Sequence, residues 1–558
     1  MKKLSTILIS DFNISNFQAY LKVDESLPQM DVCSVPFGQV IQCLVDKNHE
    51  VWNIQYDIAI IWTQPEAIIN SYFNLLMYEE FDESLLINEV DKFVSLIEGL
   101  SDRVSTVFIP LWTKAVYLRG SGILSYKSRF GIDYVILKIN ERLSYKLSKS
   151  NNIHILDSQS WMQMAGKKAF NPKLWYMGKV PFSNEVFIEA VKDVKAAARA
   201  IYGVTKKLII VDLDDTIWGG IVGDDGWQNL ILGGHDSTGE AYLDFQKGLK
   251  YLKNRGIILA IVSKNEEEIA LNAINSNTEM VLKQSDFSAF RINWKDKASN
   301  IIEIANELNL GLQSIVFIDD NPFERALVRE ALPDVFVPEW PKNPMLYYSE
   351  LLSMSCFDVV FISNEDLMRN QMYSIEEKRS TLKSQMTSLD DWINSLEMKI
   401  KIEKVGISNI IRVGQLFNKT NQMNLATRRM SESELNSLCN KVNNFFYCIN
   451  VEDKFGDYGL TGIIGLNKYE NILFITDFIL SCRVMGRKVE ETMLNFVISQ
   501  AESLGLSVVK AKYLPTSKNK PCLEFLRKQP FIENNFLFEM SISKRIELSS
   551  GIQVDYNI

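Results

Sequence analysis

A chain of 558 residues has room for about three domains of ordinary size, and with 46% hydrophobic and 23% charged residues it has the composition of a folded globular protein. A formal net charge of -9 argues against a general nucleic-acid binder. Seven scattered cysteines without a Cys-x-x-Cys pair, and only three histidines, argue against a disulfide framework, a zinc site or a histidine metal centre; the thiols suit a reducing, cytoplasmic setting. No stretch approaches the roughly 18 apolar residues of a membrane span. The short apolar run Leu4–Ile9 behind Lys2 and Lys3 has no small-residue cleavage site and reads as a strand, not a leader.

From the start to about residue 200, apolar runs at Thr6–Ile9, Ile58–Trp62, Ser105–Ile109 and Ile153–Leu156 alternate with longer helical segments, the pattern of βαβ units on a parallel sheet. The arrangement resembles an SGNH-hydrolase-type domain, with Ser10 where a nucleophile would stand. A serine after a strand is also an ordinary turn or cap. The Asp-x-x-His that would supply a base is missing, since Asn171-Pro172-Lys173-Leu174-Trp175 contains no histidine. The hydrolase machinery therefore reads as degenerate, and the domain as a binding or docking element.

The centre of the chain carries the clearest chemistry. Leu208–Val211 is a β-branched apolar run ending in Asp212-Leu213-Asp214-Asp215-Thr216-Ile217-Trp218-Gly219-Gly220, a buried parallel strand that delivers three carboxylates at its tip. Such a cluster repels itself unless a cation sits among the acids. Asp-rich turns also cap helices, but Asp-x-Asp-x-Thr resembles motif I of the haloacid dehalogenase (HAD) superfamily. Downstream, Ile257–Val262 ends in Ser263-Lys264-Asn265, resembling motif II; Lys297 stands where motif III has its lysine; and Ser314–Ile318 ends in Asp319-Asp320-Asn321-Pro322-Phe323-Glu324-Arg325, resembling motif IV. The resemblance implies that Asp212 is the nucleophile and Asp214 the acid and base. It further implies that Ser263, Lys264, Asn265 and Lys297 face the phosphate, with Thr216 bonded near the first acid. Magnesium would be held by Asp212, the Asp214 main-chain carbonyl and Asp319, with Asp320 as a further ligand. Only 51 residues separate Asp212 from Ser263, and 34 separate Ser263 from Lys297, which leaves no room for a cap domain.

Residues 351–395 read as a helical connector that includes Asn364–Arg369. Beyond it, alternating runs at Lys399–Ile402, Leu460–Leu466 and Ile472–Leu480 read as sheet. The last runs into Ser481-Cys482-Arg483-Val484-Met485-Gly486-Arg487-Lys488 and the helix Val489–Leu504. A strand, a basic glycine turn and a helix N-terminus make a pyrophosphate cradle from Arg483, Gly486 and Arg487, resembling the coenzyme A loop of GNAT acyltransferases. Cys482, read as lying at the helix N-terminus among basic residues, is either an acyl-accepting thiol or a buried strand cysteine. The polar runs Lys419–Arg429, Asp453–Gly459 and Tyr513–Asn519 read as binding surface.

Together these motifs resemble the FkbH-like proteins of HAD subfamily IIIC. The resemblance implies an α/β chain of three domains: an SGNH-like domain at 1–200, a capless Rossmann-like HAD phosphatase at 201–350 and a GNAT-like α+β acyltransferase at 396–558. It implies a bifunctional glyceryl transferase/phosphatase. Such an enzyme takes the three-carbon unit of 1,3-bisphosphoglycerate, removes phosphate through an aspartyl phosphate and loads a glyceryl thioester on the phosphopantetheine arm of an acyl carrier protein. A magnesium-dependent phosphatase of a small metabolite, without acyl transfer, is the alternative. A non-catalytic carrier scaffold is a third possibility.

Overall fold

The computed structural model describes residues 3–79, 82–100, 103–114, 122–128, 130–360, 386, 388–406, 408–420, 422–430, 432–516, 518–543 and 551–557. The chain forms two compact units, Met1–Tyr202 with Met430–Leu438, and Gly203–Arg429 with Cys439–Ile558.

The first unit is built on a five-stranded parallel sheet, β1 (Leu4–Ser10), β2 (Met30–Ser34), β3 (Tyr56–Trp62), β4 (Val104–Pro110) and β5 (Ile153–Leu156), in the order β2-β1-β3-β4-β5. Its central strands are buried on both faces, which is why they read as continuous apolar runs rather than alternating ones. One face packs on the helices Glu83–Glu98 and Ile132–Leu147, and the other on Asn184–Ile201, where Trp62 gathers Phe12, Phe17, Trp161, Phe182 and Phe187 into one aromatic cluster. Strand order reverses between β1 and β3, so Ser10 and Trp62, which are paired, end at the crevice where such sheets hold ligands. Ser10 is buried, and its hydroxyl accepts from the Phe12 main-chain N–H in a tight turn. That is the cap-like role.

The second unit contains two sheets. Four parallel strands, β6 (Leu208–Val211), β7 (Ile258–Ser263), β8 (Ala289–Ile292) and β9 (Ile315–Ile318), run in the order β8-β7-β6-β9. Every residue of β6 and β9 is buried. The Asp212–Ser263 interval holds the helix Ser237–Asn254 and a short loop closed by a Gly219–Ile231 bridge, with no separate cap domain. Gly219 is required there, because a Cβ would sit 2.9 Å from the Tyr242 ring and 3.0 Å from Ile231.

The other sheet comprises β10 (Met398–Lys404), β11 (Met423–Asn424), β12 (Asn444–Asp453), β13 (Gly456–Tyr469), β14 (Ile472–Leu480), β15 (Val508–Lys512), β16 (Ile532–Asn534), β17 (Leu537–Ser541) and β18 (Ile552–Asn557). It is mostly antiparallel, but β10 runs parallel to β18, and so do β14 and β15 to one another. Those two are hydrogen-bonded only over Ile472–Ile475; farther along, Ile479 and Leu480 pair with β11 instead, so the parallel strands part. Multiple sheets of mixed topology make this a multi-domain α/β chain, as its alternating apolar runs predict. The connector segment Asn364–Arg369 lies outside the described residues; Leu389–Leu396 is a helix.

Candidate active site

The register of the four-stranded sheet creates the site. Strand order reverses between β6 and β9, and Val211 pairs with Ile318, so the next residue on each strand, Asp212 and Asp319, emerges at the same level on adjacent strands. The Asp212 N–H donates to the Ile318 carbonyl (3.0 Å), which locks that level. Lys297 opens the helix Lys297–Glu307 and reaches back over the strand tips, where its Nζ donates to Asp212 Oδ2 (2.8 Å) and Asp319 Oδ2 (2.5 Å). All three side chains are almost wholly buried. Burial opposes the Lys297 charge, but Asp212 and Asp319 outweigh it and hold its pKa above the ordinary lysine value. Asp319 is pushed up to about 7 by burial and by the Asp212 charge, against the pull of Lys297, and Asp320 to about 6 by burial and then Asp212.

One lysine thus faces three acids. Carboxylate oxygens of Asp212, Asp319 and Asp320 lie within 4.8 Å of one another. Asp212 Oδ1 is buried and has no hydrogen-bond partner among the described residues. An orphaned buried carboxylate oxygen and excess negative charge fit a hard divalent cation, whose ligands are oxygens.

Asp214 faces elsewhere. Its Oδ1 accepts from the Trp218 indole Nε1 (2.9 Å) and the Val222 main-chain N–H (3.0 Å), and its Oδ2 from Asn265 Nδ2 (2.8 Å). Burial is the main cause holding its pKa above the ordinary carboxylate value, since all three donors pull the other way. A carboxyl fixed by three donors and disposed to keep its proton can give and take one at a defined place.

Several residues read from sequence as phosphate contacts have other partners. Asn265 holds Asp214. Lys264 pairs with Glu324 at 2.6 Å. Thr216 is fully buried; its hydroxyl donates to Asp320 Oδ1 (3.3 Å) and accepts from the Asp320 N–H (3.2 Å), so it braces the second acid loop. Ser263 is buried at the tip of β7, where it accepts weakly from Asn265 (3.5 Å). Asn265, Thr216 and Ser263 bond to neighbouring polar groups because each is buried and a buried polar group needs a partner, whereas the Lys264 side chain stays 37% exposed beside Glu324. Sequence reasoning assigned no role to Trp218 or Arg325. Arg325 Nη1 donates to the carbonyls of Asp319 and Asp320, both at 2.7 Å, and fixes the acid turn. The apolar Trp in an otherwise acidic and glycine-rich motif was the available signal for the first.

The loop after β14 also differs from its reading. Cys482 opens a separate short turn, Cys482–Val484, whereas the helix begins at Val489 with Lys488 as its N-cap, so the thiol is not at the helix N-terminus. Arg487 is turned inward, stacked over Tyr458 and Trp392, bonded to the Tyr458 hydroxyl and 3.8 Å from Asp453. The Gly486 N–H, at φ +73°, is taken by Glu490 Oε1 (2.8 Å). Arg483 Nε reaches the Ser481 hydroxyl at 3.3 Å. The polar runs flanking this sheet turn inward as well. Arg428 forms a two-pronged pair with Asp477, and fully buried Asn519 bonds to Asn424, Leu514, Tyr513 and Thr516.

No family model matches this chain, and no curated protein sequence does. Among solved structures, it is similar to the N-terminal part of the protein BF1531 from Bacteroides fragilis, described as containing a phosphatase domain and complexed with Mg. The two share 29% identity over 65% of this chain and 95% of that one, with a TM-score of 0.57. Lesser likenesses cover 26% of this chain: a spermidine N-acetyltransferase variant from Vibrio cholerae (14% identity, 95% of that chain, TM-score 0.21) and a GNAT-family acetyltransferase from Staphylococcus aureus (11%, 99%, 0.21). These shorter likenesses identify no activity.

Proposed function

We propose that the chain is a magnesium-dependent phosphatase acting through an aspartyl phosphate, and that it couples this reaction to loading a glyceryl group on an acyl carrier protein. The observation that carries the phosphatase half is Lys297 bridging Asp212 and Asp319, with Asp212 Oδ1 left orphaned beside Asp320. The 29% identity to a phosphatase-domain structure with Mg supports it.

In this reading Asp212 Oδ2 or Oδ1 attacks phosphorus while the bond to the leaving oxygen breaks, and Asp214 gives its proton to that oxygen. Water then attacks the aspartyl phosphate. Asp214 takes the water proton, the bond to Asp212 breaks, and phosphate leaves with Asp212 again a carboxylate and Asp214 again protonated. Lys297 holds Asp212 in place through its 2.8 Å bond and offsets phosphate charge. Magnesium, held by Asp212, Asp319, Asp320 and the Asp214 main-chain carbonyl, supplies charge stabilisation of the phosphoryl group when bound. Among the described residues, no separate cap domain stands in the Asp212–Ser263 interval, which suits a phosphate carried on a larger molecule.

The acyl half of the proposal assigns Cys482 as acceptor of the three-carbon unit of 1,3-bisphosphoglycerate: its sulfur bonds to the acyl carbon as the 1-phosphate leaves, the carrier sulfur then bonds to that carbon as the Cys482 sulfur leaves and takes the proton, and the remaining 3-phosphate is removed by water at the Asp212 site. A second reading, phosphatase action on a small metabolite without acyl transfer, is favoured by the inward Arg487 and the occupied Gly486 N–H. Incubation with 1,3-bisphosphoglycerate, magnesium and a phosphopantetheinylated carrier separates the two. A glyceryl mass gain on the carrier supports coupling; phosphate release with an unchanged carrier supports the second reading.

A further inference from the structure

The first unit has a surface that the phosphatase chemistry does not use. Between Asp157 and Glu185 the sequence has four lysines and no acidic residue, in a chain whose net charge is -9. The segment folds as the helix Ser158–Ala165, a short turn at Gly166–Lys168 and the helix Pro172–Gly178. Lys167, Lys168, Lys173 and Lys179 are all exposed, and Tyr176 and Met177 stand between them at 80% and 85% exposure. Met164, on the preceding helix, is 74% exposed.

This surface is held firmly. The Asn13 main-chain N–H and side-chain amide donate to the carbonyls of Lys179 (2.9 Å) and Gly178 (3.1 Å), tying the second helix to the turn after β1. Phe170 bridges to Phe182, which stacks on Trp62 in the core. The Lys179 ammonium lies 4.8 Å from the centre of the Trp175 ring, itself packed on that core. The patch therefore sits at the carboxyl edge of the five-stranded sheet, beside the β1/β3 crevice. Lys168 faces Glu185, where it is a minor contributor to holding that carboxyl low after the bonds from the Glu185 main chain and Ser183.

We infer that this patch docks an acidic protein partner, its lysines meeting carboxylates while Tyr176 and Met177 enter an apolar contact. Adjacent exposed aromatic and Met side chains in a segment that carries four exposed lysines and no acid have the composition of a recognition surface rather than of a solvated face. Resting on the proposed function, the partner is the acyl carrier that presents the phosphopantetheine arm. A role in docking also accounts for a domain whose serine is spent on a turn.

The test is fluorescence anisotropy of a labelled, phosphopantetheinylated acyl carrier protein titrated with the full chain. Lys167→Glu combined with Lys173→Glu is expected to weaken binding about tenfold or more at low salt, with the difference shrinking at high salt. Tyr176→Ser combined with Met177→Ser is expected to weaken it at both. Phosphate release from p-nitrophenyl phosphate is expected to be unchanged in every variant, since none touches the Asp212 site. Carrier binding by the charge-reversed protein as tight as that of the wild type overturns the inference, as does a wild-type protein that does not bind the carrier or binds anionic vesicles or single-stranded DNA equally well. Patch-dependent binding with no glyceryl gain on the carrier leaves the docking site standing and refutes the acyl-transfer reading.

Discussion

Replacing Trp218 with Phe isolates the contribution of one indole N–H. The ring remains in its fully buried place, while the donor to Asp214 Oδ1 at 2.9 Å is lost. Asp214 keeps Val222 N–H and Asn265, so its carboxyl loses one of three restraints. A hydrogen bond to an ionised group is worth about 1.5–3 kcal/mol. If that bond serves the step in which Asp214 activates water, the loss corresponds to a fall of about 10- to 150-fold in that step. With p-nitrophenyl phosphate the departing phenolate needs little protonation, so formation of the aspartyl phosphate is expected to be nearly unaffected while its hydrolysis slows. Acid-quenched intact mass is therefore expected to find phosphoenzyme accumulating as steady-state phosphate release falls. Trp218→Phe added to Asp214→Asn is expected to cost nothing further, because the indole acts through the carboxyl. Phosphate release unchanged in the single variant, or an additive loss in the double one, refutes the reasoning.

Other expectations follow from buried charge and polar contacts. Lys297→Met leaves Asp212 and Asp319 facing each other without their shared ammonium, and breaking such a pair costs about 3–5 kcal/mol; urea unfolding in EDTA should register the loss, and added magnesium should restore more stability to the variant than to the wild type. His154 is held by burial down to about 4 from its ordinary 6.5. It is therefore neutral when folded, and stability is full above pH 6.5 and falls by up to about 3 kcal/mol as pH drops toward 4. His154→Phe should flatten the fall in denaturation midpoint of the first unit over that window, and an unchanged slope would contradict the assignment. Asn519→Leu removes a fully buried amide bonded to the Asn424 and Leu514 carbonyls and to Tyr513 and Thr516. Leaving those partners unpaired should cost about 2–4 kcal/mol, read as a lower urea midpoint, with p-nitrophenyl phosphate turnover in native buffer unchanged.

The sequence by itself determined the parallel strands and the acids at their tips. Leu208–Val211 and Ser314–Ile318 are apolar runs because strands buried on both faces must be, and each ends in Asp because chain direction alone puts the next residue at the sheet edge. The Ser10 turn was likewise legible as a cap, since it involves only Phe12, two residues away. Only the tertiary structure decided which side chains meet. Asn265 and Asp214 are 51 residues apart and Lys297 and Asp319 are 22 apart, yet their bonds define the site. No local pattern says that Lys264 is spent on Glu324, that Thr216 braces Asp320, or that Arg487 turns inward to Tyr458. A motif fixes residue types at spacings along the chain, whereas a buried polar group takes whichever partner the packing brings within hydrogen-bond reach.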